Sequence, residues 1–311
     1  MSTPTPNEGI ANHGGRMTFT GPVSVGRGSS AHQYAPPEPG PDTPAGPAER
    51  AAPGWADGPG LSGGAVVITA VDCEYRAVAA HLGGPFEERT VSGTLYRLGT
   101  FRGRERARRV ALAQIGPGNT GAALHVERAR TAFAPELIVF AGVAGGLKDV
   151  RLGDVVAADA VYDYESAKEG AGEDVWPRAR TAVPSHAVVQ RAMDVVFRQE
   201  WTDYIIDPEP GVAPRAFVKP IAAGGKLLAH ADSPTARRVR AFAGDAVAVE
   251  MEGYGVLHGA SLADHADVLV VRGISDLLTG KDAASDARWQ PVAARSAAAF
   301  TCAFLDLFTR T

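Results

Sequence analysis

Four short stretches carry residues whose types and spacing can do chemistry: Asp72-Cys73-Glu74, Gly142-Val143-Ala144-Gly145-Gly146, Glu250-Met251-Glu252 and Arg272-Gly273-Ile274-Ser275-Asp276. Separated carboxylates in one site can serve as general acid and general base when their surroundings hold one protonated and the other ionised. An arginine among them supplies a fixed positive charge, and glycines let the backbone approach a ligand closely. Each stretch also has a plain structural reading. Glu74 and Glu252, near helix starts, complement a helix dipole, Asp276 serves as an N-cap, and the glycine run is a tight turn. That run lacks both the G-x-G-x-x-G spacing and the Walker Lys-Ser/Thr, so the two common nucleotide fingerprints fail. The plain readings leave one thing unexplained, namely several carboxylates and one arginine that all directly follow apolar segments.

Those segments set the fold class. Ala65–Ala70 is a short β-branched run, as in a strand buried on both faces, and Glu74 to Leu82 reads as a helix after it. Residues 109–115 form a second strand closed by Gly116-Pro117-Gly118, and Asn119 is placed to cap a helix in which Ala122, Val126, Ala129 and Phe133 share one face. Residues 136–141 run into the glycine stretch as a central strand. Residues 155–162, 218–222, 245–249 and 268–273 give further strands, and 291–309 an Ala- and Phe-rich closing helix. Strands alternating with helical patterns imply an α/β fold: one three-layer αβα domain around a twisted, mixed but mostly parallel sheet. In such sheets ligands sit beyond the carboxyl ends of the strands, where all four stretches fall.

Composition divides the 311 residues in two. Residues 1–64 hold 11 of the 22 prolines and are read as a disordered Pro/Gly-rich tail, and residues 65–311 as the catalytic domain. A weak alternation at Met17–Val25 is compatible with a strand offered to a protein partner. A net charge of −4 with no basic stripe excludes a chain whose main work is binding nucleic acid. Cys73 and Cys302 are too few for a disulfide framework or thiolate zinc site. His258, His265 and the other six histidines show no ligand spacing, so neither metal nor organic cofactor is expected. There is no bilayer-spanning apolar run and no secretory signal, and the expected location is the cytoplasm.

From residue 65 to about 310 the sequence resembles the nucleoside phosphorylase/nucleosidase superfamily, and within it the methylthioadenosine/S-adenosylhomocysteine nucleosidase branch. Ala70–Glu74 resembles that branch's first strand-to-helix junction. Gly142–Leu147 followed by Leu152–Val156 is similar to its Ala-Gly-Gly-Leu and Gly-Asp-Ile-Val pair. Ala248–Glu252 is similar to its Val-Glu-Met-Glu motif, and Val271–Asp276 to its Arg-x-Ile-Ser-Asp motif. The resemblance implies an N-ribosyl hydrolase of adenine nucleosides. In it Asp276, kept protonated by partial burial and oriented by Ser275, protonates N7 of the base. Glu74 takes a proton from the attacking water, which Arg272 helps to place. Glu252, in the motif with Glu250, accepts from the ribose hydroxyls, and Met251 packs beneath the sugar. Val143, Ala144 and Gly145 line the pocket. The family is commonly dimeric, so a homodimer is implied.

Departures from the pattern bear on substrate. Val143 stands where phosphate-using relatives need a hydroxyl, and the early Gly-x-x-x-Arg phosphate motif is missing, although Arg76 lies nearby; both favour water over phosphate. Leu227 and Leu228 replace the aromatic that stacks on the purine. Lys226 is either a solvated lysine or a contact to an anionic part of the substrate. The polar run 162–169 includes Lys168, a second residue able to meet a 5′-phosphate. Nucleotide N-glycosidase, phosphorylase and non-catalytic nucleotide sensor therefore stand as alternatives.

Overall fold

A computed structural model describes residues 64–310 except 172–174, 227, 229, 263–265 and 279–282. The tail reading, the 17–25 alternation, Leu227 and His265 thus lie outside the described residues, Gly64 excepted. The chain opens with β1 (Ala65–Thr69), α1 (Asp72–Ala79), β2 (Leu82–Val91), β3 (Thr94–Arg102), β4 (Ala107–Gln114), α2 (Asn119–Phe133) and β5 (Leu137–Gly146). Next come β6 (Val155–Ala157), β7 (Val161–Asp163), β8 (Ala167–Glu169), β9 (Val175–Pro177), β10 (Arg180–Ala182) and α3 (His186–Arg198). The last part holds β11 (Ala216–Val218), β12 (Ile221–Ala223), α4 (Pro234–Phe242), β13 (Ala248–Glu250), α5 (Gly253–Ser261), β14 (Asp267–Leu277) and α6 (Ala283–Leu307).

Twelve of these strands form one mixed sheet. Its centre, β4-β1-β5-β14, is parallel, as is β7-β12-β13, while β2, β3 and β10 add antiparallel flanks. Successive residues of a strand point to opposite faces. Val67, Leu112, Val139 and Val271 therefore pack on one side with α1, α3 and α6, and Val66, Ile68, Ile138 and Val270 on the other with α2 and α5. The result is the expected three-layer α/β/α domain with a mixed central sheet. Among the described residues no helix is long and apolar enough to cross a membrane.

Several sequence expectations change. The glycine run is not a turn: Gly142–Gly146 continues β5 and pairs with Arg272–Leu277 of β14, with one register shift. Residues 155–162 split into two short strands, and 218–222 likewise falls across β11 and β12. The first helix starts at Asp72, which puts Asp72, Cys73 and Glu74 all in its first turn. Asn119 does not cap α2; Gly118 precedes that helix, and the Asn119 side chain reaches a different element. The long β2–β3 hairpin, turning at Ser92-Gly93 with φ of 46° and 81°, has no counterpart in the sequence reading.

Candidate active site

The four stretches meet at the carboxyl ends of β1, β5, β13 and β14. Together they line a cleft of about 380 Å³, a size that suits a small organic molecule. Glu74, Val143, Ala144, Gly145, Glu250, Met251, Glu252, Ser275 and Asp276 all border it, joined by Pro117 and Gln290. A smaller annex shares Gly145, Val249, Glu250, Met251 and Asp276 and adds Lys226 and Leu228.

At one end Glu74, 3% exposed, is held by three backbone donors. Its Oε2 accepts from Ala70 N (2.8 Å) and Val71 N (3.0 Å), which caps its own helix, and Oε1 accepts from Val143 N at 2.8 Å. The helix-start reading is therefore realised, yet the same carboxylate also crosses to β5 and faces the cleft. Cys73 beside it is half-buried, and burial pushes its thiol pKa up.

The middle of the site is a carboxylate cluster around one guanidinium. Arg272 is fully buried on β14 and stacks over Phe140, 4.3 Å from the ring centroid. Its Nη2 donates to Glu250 Oε2 and, at 3.3 Å, to Glu252 Oε2. Burial pulls the Arg272 pKa down, but Glu250, Glu252 and Glu74 outweigh it and hold the group above the ordinary arginine value. This guanidinium passes β5 only because residue 142 is glycine. A Cβ there would lie 2.0 Å from Arg272 Nη1 and 2.5 Å from Glu74 Oε1. Glu250 accepts from the backbone N–H groups of Glu252 (3.0 Å) and Gly253 (2.8 Å), so it braces the entry into α5. Glu252 accepts from Gly118 N at 2.8 Å. Burial raises the Glu252 pKa to about 7; Arg272 and the Gly118 N–H pull it down, and Glu250 and Glu74 push it up.

At the other end the register of β14 against β5 slips between Ile274 and Asp276, leaving Ser275 as the extra, bulged residue. Such a bulge breaks strict alternation and re-aims the next side chain. Asp276, 8% exposed, comes to lie opposite Gly145, where a Cβ would stand 3.1 Å from Asp276 Oδ1. The Ser275 hydroxyl is 3.2 Å from Asp276 Oδ2 and 3.4 Å from the Ala144 carbonyl. Glu74 abuts Gly142 and Asp276 abuts Gly145, three residues further along one strand. Glu74 and Asp276 thus meet β5 at points about 10 Å apart along the strand, and Glu252 lines the same cleft.

The outlying candidates divide. Leu228 is buried and Lys226 exposed, both at the annex beyond Asp276. Lys168 is not brought to the cleft: its ammonium sits over the Trp176 ring at 5.4 Å on the β8–β9 hairpin. Arg76 is spent on Asp72 at the surface, 2.8 Å away. Sequence reasoning missed Gln290, which carries no signal within a closing helix, and the Gly118 N–H, which belongs to the backbone.

Carboxylates and one buried arginine gather around a cleft at the strand ends of a mixed α/β sheet. A family model for the phosphorylase superfamily matches residues 65–306, and the chain belongs to that superfamily. It is 29% identical over 196 residues to the 5′-methylthioadenosine/S-adenosylhomocysteine nucleosidase of Listeria innocua, covering 61% of this chain and 77% of the relative. Its fold is similar to that of the corresponding Colwellia psychrerythraea nucleosidase solved with adenine, at a TM-score of 0.64 and 20% identity, over 78% of this chain and 93% of the other. The Helicobacter pylori futalosine hydrolase is similar too, at a TM-score of 0.63 and 20% identity, over 78% and 97%.

Proposed function

We propose that this chain is a purine nucleosidase that hydrolyses the N-glycosidic bond of an adenine nucleoside. The observation that carries the reading is a single cleft lined by Glu74, Glu252 and Asp276. Water attacks the anomeric carbon as Glu74 takes its proton. The C–N bond breaks with its electron pair passing to the base, and Asp276 delivers a proton to N7. Glu252 accepts from the ribose hydroxyls, and its charge offsets the oxocarbenium character of the transition state. Arg272 steadies Glu250 and Glu252 from below. Met251 packs beneath the ribose, and Ser275 orients Asp276. The base lies toward Asp276, with Leu228 and the annex beyond it. The adenine assignment follows the names of the relatives.

Water is favoured over phosphate because Val143 offers no hydroxyl and its N–H is already committed to Glu74. A 5′-phosphate is disfavoured by Glu74 and Glu252, which line the cleft, while Lys226 borders the annex. A homodimer in the cytoplasm belongs to the same reading, and light scattering checks the dimer. The activity test is a panel of adenosine, methylthioadenosine, adenosylhomocysteine, inosine, AMP and ATP, with base release monitored with and without phosphate. Phosphate-dependent turnover would sink the hydrolase reading, and turnover of the phosphorylated substrates alone would replace the nucleoside with a nucleotide.

A further inference from the structure

The loop between β4 and α2 touches the site through a backbone atom. Gly118, at φ 118°, donates its N–H to Glu252 Oε1 at 2.8 Å. The next residue, Asn119, turns its side chain away from its own helix, and Oδ1 accepts the N–H of Gly255 in the first turn of α5 at 2.8 Å. The approach is close enough that a Cβ on Gly255 would stand 2.0 Å from the Asn119 carbonyl oxygen. Gly118, just before α2, and Asn119, its first residue, therefore grip the start of α5, one by the carboxylate that precedes it and one by its backbone.

We propose that Asn119 is a positioning residue for Glu252: its bond to Gly255 holds the 116–119 loop against α5, and so keeps the Gly118 N–H on the carboxylate that receives the ribose. The proposal rests on the reading of Glu252 as the ribose carboxylate. The helices have a second close approach one turn further on, where Gly259 of α5 fits against Ala123 of α2. Glu252 is faced by Arg272 from β14, Glu250 from β13 and Glu74 from α1, and the first turns of α2 and α5 carry no acidic residue. Among these influences only the Gly118 N–H depends on where the loop lies. Losing it removes a donor that favours the ionised carboxylate.

The test is steady-state kinetics between pH 5.5 and 9 on Asn119→Ala, Asn119→Asp and Glu252→Gln. For Asn119→Ala, kcat/KM should fall about tenfold at pH 7, chiefly through KM, as expected for a lost, partly buried hydrogen bond and a loosened neighbour. The acidic limb of its profile should move to higher pH by about half a unit. Asn119→Asp keeps the acceptor and should restore KM. If the Ala variant melts below assay temperature, Asn119→Ser carries the same expectation. A wild-type KM and pH limb in Asn119→Ala, while Glu252→Gln is crippled, would overturn the proposal alone. A fully active Glu252→Gln would overturn the role of Glu252 and the proposal with it. Should no nucleoside be turned over, a ¹³C NMR titration of the Glu252 carboxyl reads the same coupling. A higher midpoint in Asn119→Ala supports the proposal, and equal midpoints overturn it.

Discussion

Replacing Glu252 with Gln should make the protein more stable and less active at the same time. Burial, opposed only in part by Arg272 and the Gly118 N–H, raises the Glu252 pKa from 4.5 to about 7. Because the folded pKa lies above the unfolded one, the carboxyl favours folding while both states are protonated, and that advantage is lost as pH rises from 4.5 through 7. At 1.36 kcal/mol per unit, the ionised group costs about 3 kcal/mol of stability by pH 8. Gln keeps the shape and cannot ionise. The difference in unfolding free energy between Glu252→Gln and the wild type should therefore grow in favour of the variant by about 2–3 kcal/mol between pH 5 and pH 8. Urea denaturation of both proteins at half-unit steps measures it, and taking the difference cancels the other titrating groups. The same variant should lose most of its turnover, since a neutral amide neither offsets positive charge on the sugar nor accepts from both ribose hydroxyls. A stability difference independent of pH, or a variant less stable than wild type at pH 8, would refute the reasoning.

Gly142→Ala places a methyl on Arg272 Nη1 and Glu74 Oε1; it should cost about 1–3 kcal/mol by thermal unfolding and most of the activity. Arg272→Met leaves Glu250, Glu252 and Glu74 facing one another without their cation, and a loss of about 3–5 kcal/mol is expected in denaturant melts. Lys168→Met, altering a side chain stacked on Trp176 away from the cleft, should leave kcat/KM within about twofold of wild type; a large drop would bring back a phosphate-bearing substrate.

The site carboxylates could be read from the chain because each comes just after a run of apolar, β-branched residues, and side chains just past such runs gather at one edge of a parallel sheet. Glu74, Glu252, Asp276 and Arg272 are all of this kind. The glycines at 142–146 were misleading for a physical reason. Locally they suggest a turn, whereas the bare backbone at Gly142 is demanded by the Arg272 guanidinium, 130 residues distant in sequence, and that at Gly145 and Gly146 by side chains of β14. The bulge at Ser275 is a relation between two strands and leaves no mark on either alone. The β2–β3 hairpin escaped because β2 is largely exposed and begins with Leu82-Gly83-Gly84-Pro85, which breaks any alternation. Asn119 was legible as a helix-start residue, but its partner, Gly255, is set by how α2 meets α5.

The most direct test of the account is adenine release from an adenine nucleoside in phosphate-free buffer by the wild type, Glu74→Gln, Asp276→Asn and the double variant. The account predicts release without phosphate, a loss of about a hundredfold or more in each single variant with the fold retained, and a double variant little worse than either. Release that requires phosphate, or two single variants near the wild-type rate, would contradict it.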